Sequence, residues 1–298
     1  MARAKKRVET TACRAVSGAV GPDPERAESS QAVGRPAEEH RRLAQLVRTV
    51  EVEVIPRLVL ARRAAPRPVA EAAEGPVPEP GEVETLTRLL LAPDPDAASR
   101  FVEAVRQRGV PVEALYLDLL AIAARRLGDM WADDVSSFTD VTMALGRLQR
   151  ILRELVPAFR NEAQRPEHGR RALLVPLPGE QHTFGLHMVA EFFRRAGWDV
   201  WDGSVASTGD LAGVVRGGWF AVVGLSVGGE CHLGELATSI RAVRRASRNR
   251  AVGVLVGGPL FVERPDLVAL VGADATAVDG RQAALQAENL LALLPRRG

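Results

Sequence analysis

The chain has 298 residues, which is enough for two domains of ordinary size that each bury a core. Its formal net charge of +2 is too small to indicate nucleic-acid binding through overall electrostatics. Lys5 and Lys6 are the only lysines. A phosphate-binding loop of the G-x-x-x-x-G-K type and a Schiff-base lysine both need a lysine in the folded region, so neither chemistry has a candidate residue.

The cysteines and the hydropathy pattern indicate the compartment. Cys13 and Cys231 lie far apart and form no C-x-x-C pair, so neither a disulfide framework nor a zinc knuckle is indicated. No apolar run approaches the roughly 18 residues that span a membrane, and the first residues lack the apolar core of a secretory signal. We therefore expect a cytoplasmic protein without membrane attachment.

The N-terminal quarter is predicted to lie outside the compact domains. Residues 1–35 mix Arg, Ala, Ser, Gly and Pro without a sustained period, which predicts a disordered tail. Over residues 36–63, apolar side chains recur at steps of three and four, which predicts an amphipathic helix that Pro56 kinks or ends. Residues 64–81 have the proline-rich composition of a linker. The helix is therefore tethered and can dock on the body of the protein or on a partner.

Residues 82–165 are predicted to form a helical bundle. Helical periodicity runs over 82–91, 96–108, 112–131 and, after a serine cap at Ser136 or Ser137, up to 161. Short connections between such helices are typical of an antiparallel four-helix bundle. The third and fourth helices are expected to turn inward Leu115, Leu119, Ile122, Ala123, Leu127, Val141, Leu145, Leu148, Leu152 and Leu155.

Residues 166–298 change to a strand–helix alternation. Apolar runs at 172–177, 198–201, 220–226, 253–256 and 275–278 are each followed by a helical segment. This pattern predicts a five-stranded, doubly wound parallel α/β sheet. The flavodoxin-like strand order 2-1-3-4-5 is favoured, because five units are too few for a full dinucleotide-binding fold.

Several chemistries of such sheets are disfavoured here. Gly224-Leu225-Ser226-Val227-Gly228 matches G-x-S-x-G, but His232 follows the serine too closely to come from a later loop. The turn after the first strand lacks G-x-G-x-x-G, which argues against dinucleotide binding. A response-regulator receiver would need a lysine after the fifth strand, and none is present.

The polar and small residues that follow strands one, three and four are the remaining candidates. Their loops contain Glu180, His182 and Gly185, then Ser226 and Gly228, then Gly257 and Gly258. Open α/β sheets bind ligands at the carboxyl ends of their strands, and neutral imidazole is a common metal ligand. His182 is therefore the candidate metal ligand of the sheet.

These residues resemble the signature of the cobalamin-binding domain family. That signature is D-x-H-x-x-G, a serine that ends strand three and a Gly-Gly pair after strand four. The first part here is Glu180-x-His182-x-x-Gly185, with glutamate in place of aspartate and the spacing preserved. The resemblance implies cobalamin as the cofactor and His182 as the lower ligand of its cobalt, in place of the cofactor's own base.

The same resemblance implies roles for the neighbouring residues. Ser226 would hydrogen-bond the displaced base, and Glu180 would hold the second ring nitrogen of His182. A slot between helix and sheet would take the nucleotide tail of the cofactor. The small residues that would let the chain pass close to that tail are Gly185, Gly228, Gly257 and Gly258.

In the methionine-synthase-like arrangement, a four-helix module precedes the binding domain and caps the upper face of the corrin, and the resemblance implies this capping role for the bundle at 82–165. Trp131, near the end of the third helix, has a flat face suited to that ring; a tryptophan in the bundle core is the alternative. Light-sensing cobalamin regulators of the CarH kind carry W-x-x-x-E-H, whereas this chain has Val135 and Ser136 at the last two positions. No upper histidine ligand is therefore carried over.

The AerR/PpaA family, the cobalamin-binding antirepressors of photosynthesis genes, is the closer resemblance. It lies in residues 179–185, in Trp131 with residues 137–142, and in residues 53–58. It implies a light- or redox-responsive protein that acts through a partner repressor and not by catalysis.

Two other functions stay open at this level. One is a corrinoid methyl carrier that serves partner methyltransferases, and the other is an interaction module that binds no cofactor. The basic run Arg244, Arg245, Arg248 and Arg250 is expected to be a solvated helix face, with a nucleic-acid or partner surface as the alternative. Direct DNA contact is therefore a further open function, without a recognisable motif. His187 is expected to be exposed or packed, and Cys231 beside His232 is a weak metal pair.

Overall fold

A computed structural model of the chain describes residues 75–161, 169–180 and 183–293. The expected tail at 1–35, the tethered helix at 36–63 and most of the linker lie outside these residues, as does the junction between bundle and sheet at 165–166. None of the helices in the described part has the length and apolar character that a membrane crossing requires.

Four helices form the bundle. They are α1 (Glu82–Leu91), α2 (Ala97–Gln107), α3, which comprises Val112–Ala114, the π-helical Leu115–Leu120 and Ala121–Ala132, and α4 (Phe138–Arg160). Ser137 caps α4, because its side chain accepts a hydrogen bond from the Asp140 N–H at 3.1 Å. The cap at Ser137 therefore selects one of the two expected starts.

The inward stripe of the bundle differs from the expected one at one clear position. Leu115, Leu119, Ala123 and Leu127 are buried as expected, but Ile122 is 39% exposed. The π-helical stretch places an extra residue in its turn and shifts the register of the helical turns after it. Ile122 therefore lies at the edge of the stripe, and the expectation that it turns inward was wrong.

The second half of the described chain is an α/β sheet with five parallel strands in the order β2-β1-β3-β4-β5. The strands are β1 (Arg171–Pro176), β2 (Asp199–Trp201), β3 (Val222–Ser226), β4 (Gly253–Gly257) and β5 (Ala275–Thr276). This confirms the flavodoxin-like fold. The fifth strand is shorter than the expected 275–278, because the Val278 N–H donates to the side chain of Gln282 at 2.7 Å and not to the sheet.

Helices cover both faces of the sheet. They are α5 (Phe184–Arg195), α6 (Thr208–Gly217), α7 (Leu233–Ala246), α8 (Pro259–Glu263), α9 (Leu267–Val271) and α10 (Gly280–Ala292). Helices α5 and α10 pack on one face, and α6, α7, α8 and α9 pack on the other. The short helix α8 falls in a stretch for which the sequence pattern predicts no element.

Helix α5 belongs to both halves of the described chain. Its Ala190 and Phe193 pack on the sheet, whereas Met188 and Phe192 enter the core of the bundle. There Phe192 meets Phe159 of α4 at a ring-centroid distance of 5.0 Å. The bundle is thus seated on the helix that follows the first strand.

Candidate functional site

The candidate site lies at the carboxyl edge of the sheet, where β1, β3 and β4 end side by side. Pro176 pairs with Ser226, and Ser226 pairs with Gly257. Paired residues of a parallel sheet project to the same face. Since Leu174 and Leu255, two residues before these ends, pack under α5 and α10, Ser226 and Gly257 face the same two helices.

The loop after β1 turns sharply and is tied to the loop after β3. The Leu177 N–H donates to the Ser226 carbonyl at 2.9 Å, and Gly179 has a positive φ of 86°. The carboxylate of Glu180 then accepts a hydrogen bond from the Gly228 N–H at 2.6 Å. Two predicted site residues are therefore in direct contact.

The candidate metal ligand, His182, lies outside the described residues. The role expected for Glu180, which is to hold the second ring nitrogen of that imidazole, stays a prediction for the same reason. What the structure adds is that the Glu180 carboxylate already fixes the backbone of the neighbouring loop.

The space between α5, α10 and the sheet, which we call the groove, is open around two glycines at the carboxyl edge and filled by side chains further down. A methyl group added at Gly185 or Gly257 would have no atom outside its immediate neighbours within 4 Å. Deeper down, one at Gly224 would lie 2.6 Å from the side chain of Leu174. We call the upper part, lined by Gly185, Ser226 and Gly257, the mouth of the groove.

The remaining two glycines of the site have structural reasons to be glycine. Gly258 has a φ of 128°, and an added Cβ would lie 1.9 Å from the Val227 carbonyl oxygen. At Gly228 the added Cβ would lie 2.8 Å from a Glu180 carboxylate oxygen. These positions shape the loops, whereas Gly185 and Gly257 leave open space.

Trp131 lies at the end of α3 and is 48% exposed, so it is not a residue of the bundle core. Its ring meets that of Phe138 edge-on, with centroids 6.3 Å apart. Phe138 and the intervening Val135 are each 67% exposed. The bundle thus presents an apolar patch of Trp131, Val135 and Phe138 to its surroundings.

The other polar residues singled out in the sequence have ordinary surroundings. His187 is exposed on α5, and Cys231 is exposed in a 3₁₀ turn. His232 Nδ1 lies 3.9 Å from Glu235, and no group of three or more metal-ligating side chains exists among the described residues. Arg244 is half-buried against Asp274 at 2.9 Å, so the view that the whole basic run is solvated was wrong for this residue.

The residues that close the groove below its mouth were not predicted from the sequence. Gly280, the first residue of α10, is one of them, since an added Cβ would lie 2.4 Å from the ring of Phe192. Nothing in the sequence pattern pairs these two positions, which are on different helices. A glycine at the start of a helix was the one visible signal.

Comparison with known proteins agrees with this geometry. Residues 170–287 match the B12 binding domain family. An uncharacterised 20.5 kDa protein of Rhodobacter capsulatus, from the bchF–crtJ intergenic region, is 30% identical over 174 residues, which is 58% of this chain and 90% of that protein. The monomethylamine corrinoid protein of Methanosarcina barkeri has the same fold, with a TM-score of 0.61, 15% identity and coverage of 72% of this chain and 98% of that chain.

The residues at the carboxyl edge fit a corrinoid. The mouth of the groove has free volume at Gly185 and Gly257, and the half-buried Ser226 places a hydroxyl at the end of β3. These are the features that a bulky cofactor with a polar base needs at this edge. The cofactor expectation is therefore confirmed by the domain match and is consistent with the groove.

Proposed function

We propose that this chain, which belongs to the B12-binding domain family, is a light- or redox-responsive regulator that acts through a partner repressor. One observation carries the proposal. Helix α5 starts directly after the loop of Glu180 and His182, and its last turns are packed into the bundle. A change at the loop therefore has a short physical route to the bundle surface.

Three polar residues would have separate roles at this site. His182 would hold the cobalt, Ser226 would bond the displaced base, and Glu180 would keep the two loops in register. When bound, the corrinoid would supply cobalt chemistry that responds to light or redox state. The protein's part is to bind that group, orient it and respond through α5.

Regulation is favoured over catalysis by two features. The relative in Rhodobacter capsulatus comes from the bchF–crtJ region, which agrees with the AerR/PpaA resemblance and its control of photosynthesis genes. The exposed patch of Trp131, Val135 and Phe138 also provides a surface on the bundle that a cofactor or a partner can cover. We therefore do not expect enzymatic turnover.

Cofactor retention tests the first half of the proposal. Purified chain mixed with hydroxocobalamin should keep corrinoid absorbance after desalting, and His182→Ala should shift the spectrum, since the imidazole would be the lower ligand. His187→Ala is the matched control, because His187 is exposed one turn further along the chain. A wild-type chain without bound corrinoid, or a His182→Ala spectrum equal to that of the wild type, would contradict the proposal.

Partner binding tests the second half. Cobalamin-loaded chain, kept in the dark or illuminated, is mixed with a purified repressor of photosynthesis genes, and the complex is followed by size-exclusion chromatography. We expect the amount of complex to depend on the state of the cofactor. Methyl transfer to a partner methyltransferase without cofactor-dependent repressor binding would favour the methyl carrier instead, and retention on DNA by the chain alone would favour direct DNA contact.

A further inference from the structure

The carboxylate of Glu113 joins the bundle to two helices of the sheet domain. Glu113 lies in the first turn of α3, and its Oε2 accepts a hydrogen bond from Arg195 Nη1 at 3.1 Å. Its Oε1 accepts another from Arg281 Nε. The Glu113 side chain is only 15% exposed. Such a shielded, doubly bonded carboxylate interacts with its partners more strongly than one on the open surface.

The two arginines belong to the two walls of the groove. Arg195 is the last residue of α5, and Arg281 lies in the first turn of α10. These are the helices that cover the sheet face on which Ser226 and Gly257 lie. One side chain from the bundle therefore links both walls.

The walls touch each other next to this link. Gly280 precedes Arg281 and lies so close to Phe192 of α5 that an added Cβ would be 2.4 Å from its ring. Phe192 in turn packs against Phe159 of the bundle, and the guanidinium of Arg195 lies over that same Phe159 ring at 4.6 Å. The contact between α5 and α10 is thus backed by the bundle.

We propose that Glu113 is a positioning residue for the cofactor groove, which holds α5 and α10 together and opposes entry of the cofactor's nucleotide tail below the mouth. The proposal rests on the cobalamin binding of the proposed function. The part of a corrinoid that stays in the mouth of the groove does not have to separate the two helices. A tail that reaches deeper separates α5 from α10 and stretches the bonds of Glu113.

The link couples the groove to the bundle in both directions. Loosening it should strengthen binding of a corrinoid that has a tail, because less of its binding free energy is used to separate the helices. By thermodynamic reciprocity, filling the groove should loosen the seat of the bundle. Glu113 would then couple occupancy of the groove to the packing of the bundle on the sheet domain.

The test compares two corrinoids on the full chain. Wild type, Glu113→Gln and Arg281→Gln are titrated with hydroxocobalamin and with diaquacobinamide, which lacks the nucleotide tail, and binding is followed by absorbance. We expect both variants to bind hydroxocobalamin about fivefold more tightly than wild type and to bind cobinamide as wild type does. Glu103→Gln is the matched control, since Glu103 makes comparable arginine contacts within α2 alone.

Each result bears on the proposal. Equal shifts for both corrinoids, no shift, or weaker binding of hydroxocobalamin by the variants would overturn the role of Glu113 and leave the proposed function standing. Retention of neither corrinoid by wild type would overturn both. Glu113 and Arg281 are the two ends of one contact, so if one variant fails to fold, the other decides.

Discussion

The two ends of helix α5 are held in very different ways. At its last turns, the Glu191 carboxylate accepts two hydrogen bonds from Arg160 of the bundle, both at 2.7 Å, and a third from Arg194 at 2.8 Å. At its first turn, the N-cap residue Thr183 makes no side-chain capping bond, and Gly185 faces open space. The helix is anchored by these ion pairs at its last turns, whereas its first turn, the lightly held end, is held by the packing of Phe184 against the bundle.

This difference separates stability from binding along one helix. The anchored end lies in a packed, charge-paired interface, where a change of side chain acts on the folded state. The lightly held end borders the mouth of the groove, where a change acts first on the ligand that enters it. Substitutions at the two ends should therefore affect different measurements.

Glu191→Gln should break the anchored end and have the largest effect. The Glu191 side chain is 8% exposed, so the substitution removes the carboxylate charge that faces the Arg160 guanidinium, whereas Arg194 keeps its ion pair with Asp202 at 2.8 Å. We expect a loss of about 2 kcal/mol in the free energy of unfolding, a value reduced because Arg160 is itself partly exposed. Urea unfolding of the full chain measures it, and a loss within experimental error would show that the interface does not anchor the helix.

Gly185→Ala and Gly228→Ala test the lightly held end, where we expect smaller changes in the free energy of unfolding than for Glu191→Gln. An alanine at Gly228 would press on the Glu180 carboxylate and should cost about 1 kcal/mol of unfolding free energy through the lost hydrogen bond. At Gly185 the added methyl group meets nothing, so the free energy of unfolding should stay equal or rise slightly.

Gly185→Ala should have its main effect on cobalamin affinity and not on the free energy of unfolding. The variant should bind hydroxocobalamin more weakly than wild type, because the methyl group takes up space in the mouth of the groove. Titration beside urea unfolding checks both quantities on the same preparation. An unchanged affinity would mean that the cofactor does not approach Gly185.

Most of the architecture could be predicted from the sequence because it depends on local patterns. The strand–helix alternation after residue 166 and the limit of five units predict the strand order that is observed. A serine cap at Ser136 or Ser137 is predicted, and the structure places it at Ser137. The loop of Glu180 and Gly185 carries the resemblance to the cobalamin-binding family, and the domain match confirms the family.

The features that could not be predicted depend on contacts between distant residues. Glu113 and Arg281 are 168 positions apart, and no periodicity relates them. The bond from the Gly228 N–H to Glu180 likewise exists only because β1 and β3 are neighbours. Ile122 was misassigned because a π-helical turn leaves no mark in an apolar stripe. Side-chain partners on different helices and strands can be identified only once the fold is known.

The smallest effect should come from a pair that repeats the bonds of Glu191 on the open surface. Glu103 accepts two hydrogen bonds from Arg106 at 2.7 Å, but the two side chains are 43% and 40% exposed. Arg106 lowers the pKa of Glu103 from 4.5 to about 2. A carboxyl group with a lowered folded-state pKa contributes stability above its ordinary pKa, and this contribution is lost as the pH falls towards about 2.

Solvent screening keeps that contribution small, so Glu103→Gln should change the free energy of unfolding by less than about 0.5 kcal/mol near neutral pH. The variant should also lose part of the decline in stability that wild type shows between pH 4.5 and about 2. Urea unfolding across this pH range, run beside Glu191→Gln, makes the comparison direct. Equal losses of unfolding free energy in the two variants at neutral pH would mean that burial at the bundle interface does not strengthen the bonds of Glu191. The last turns of α5 would then not be an anchor.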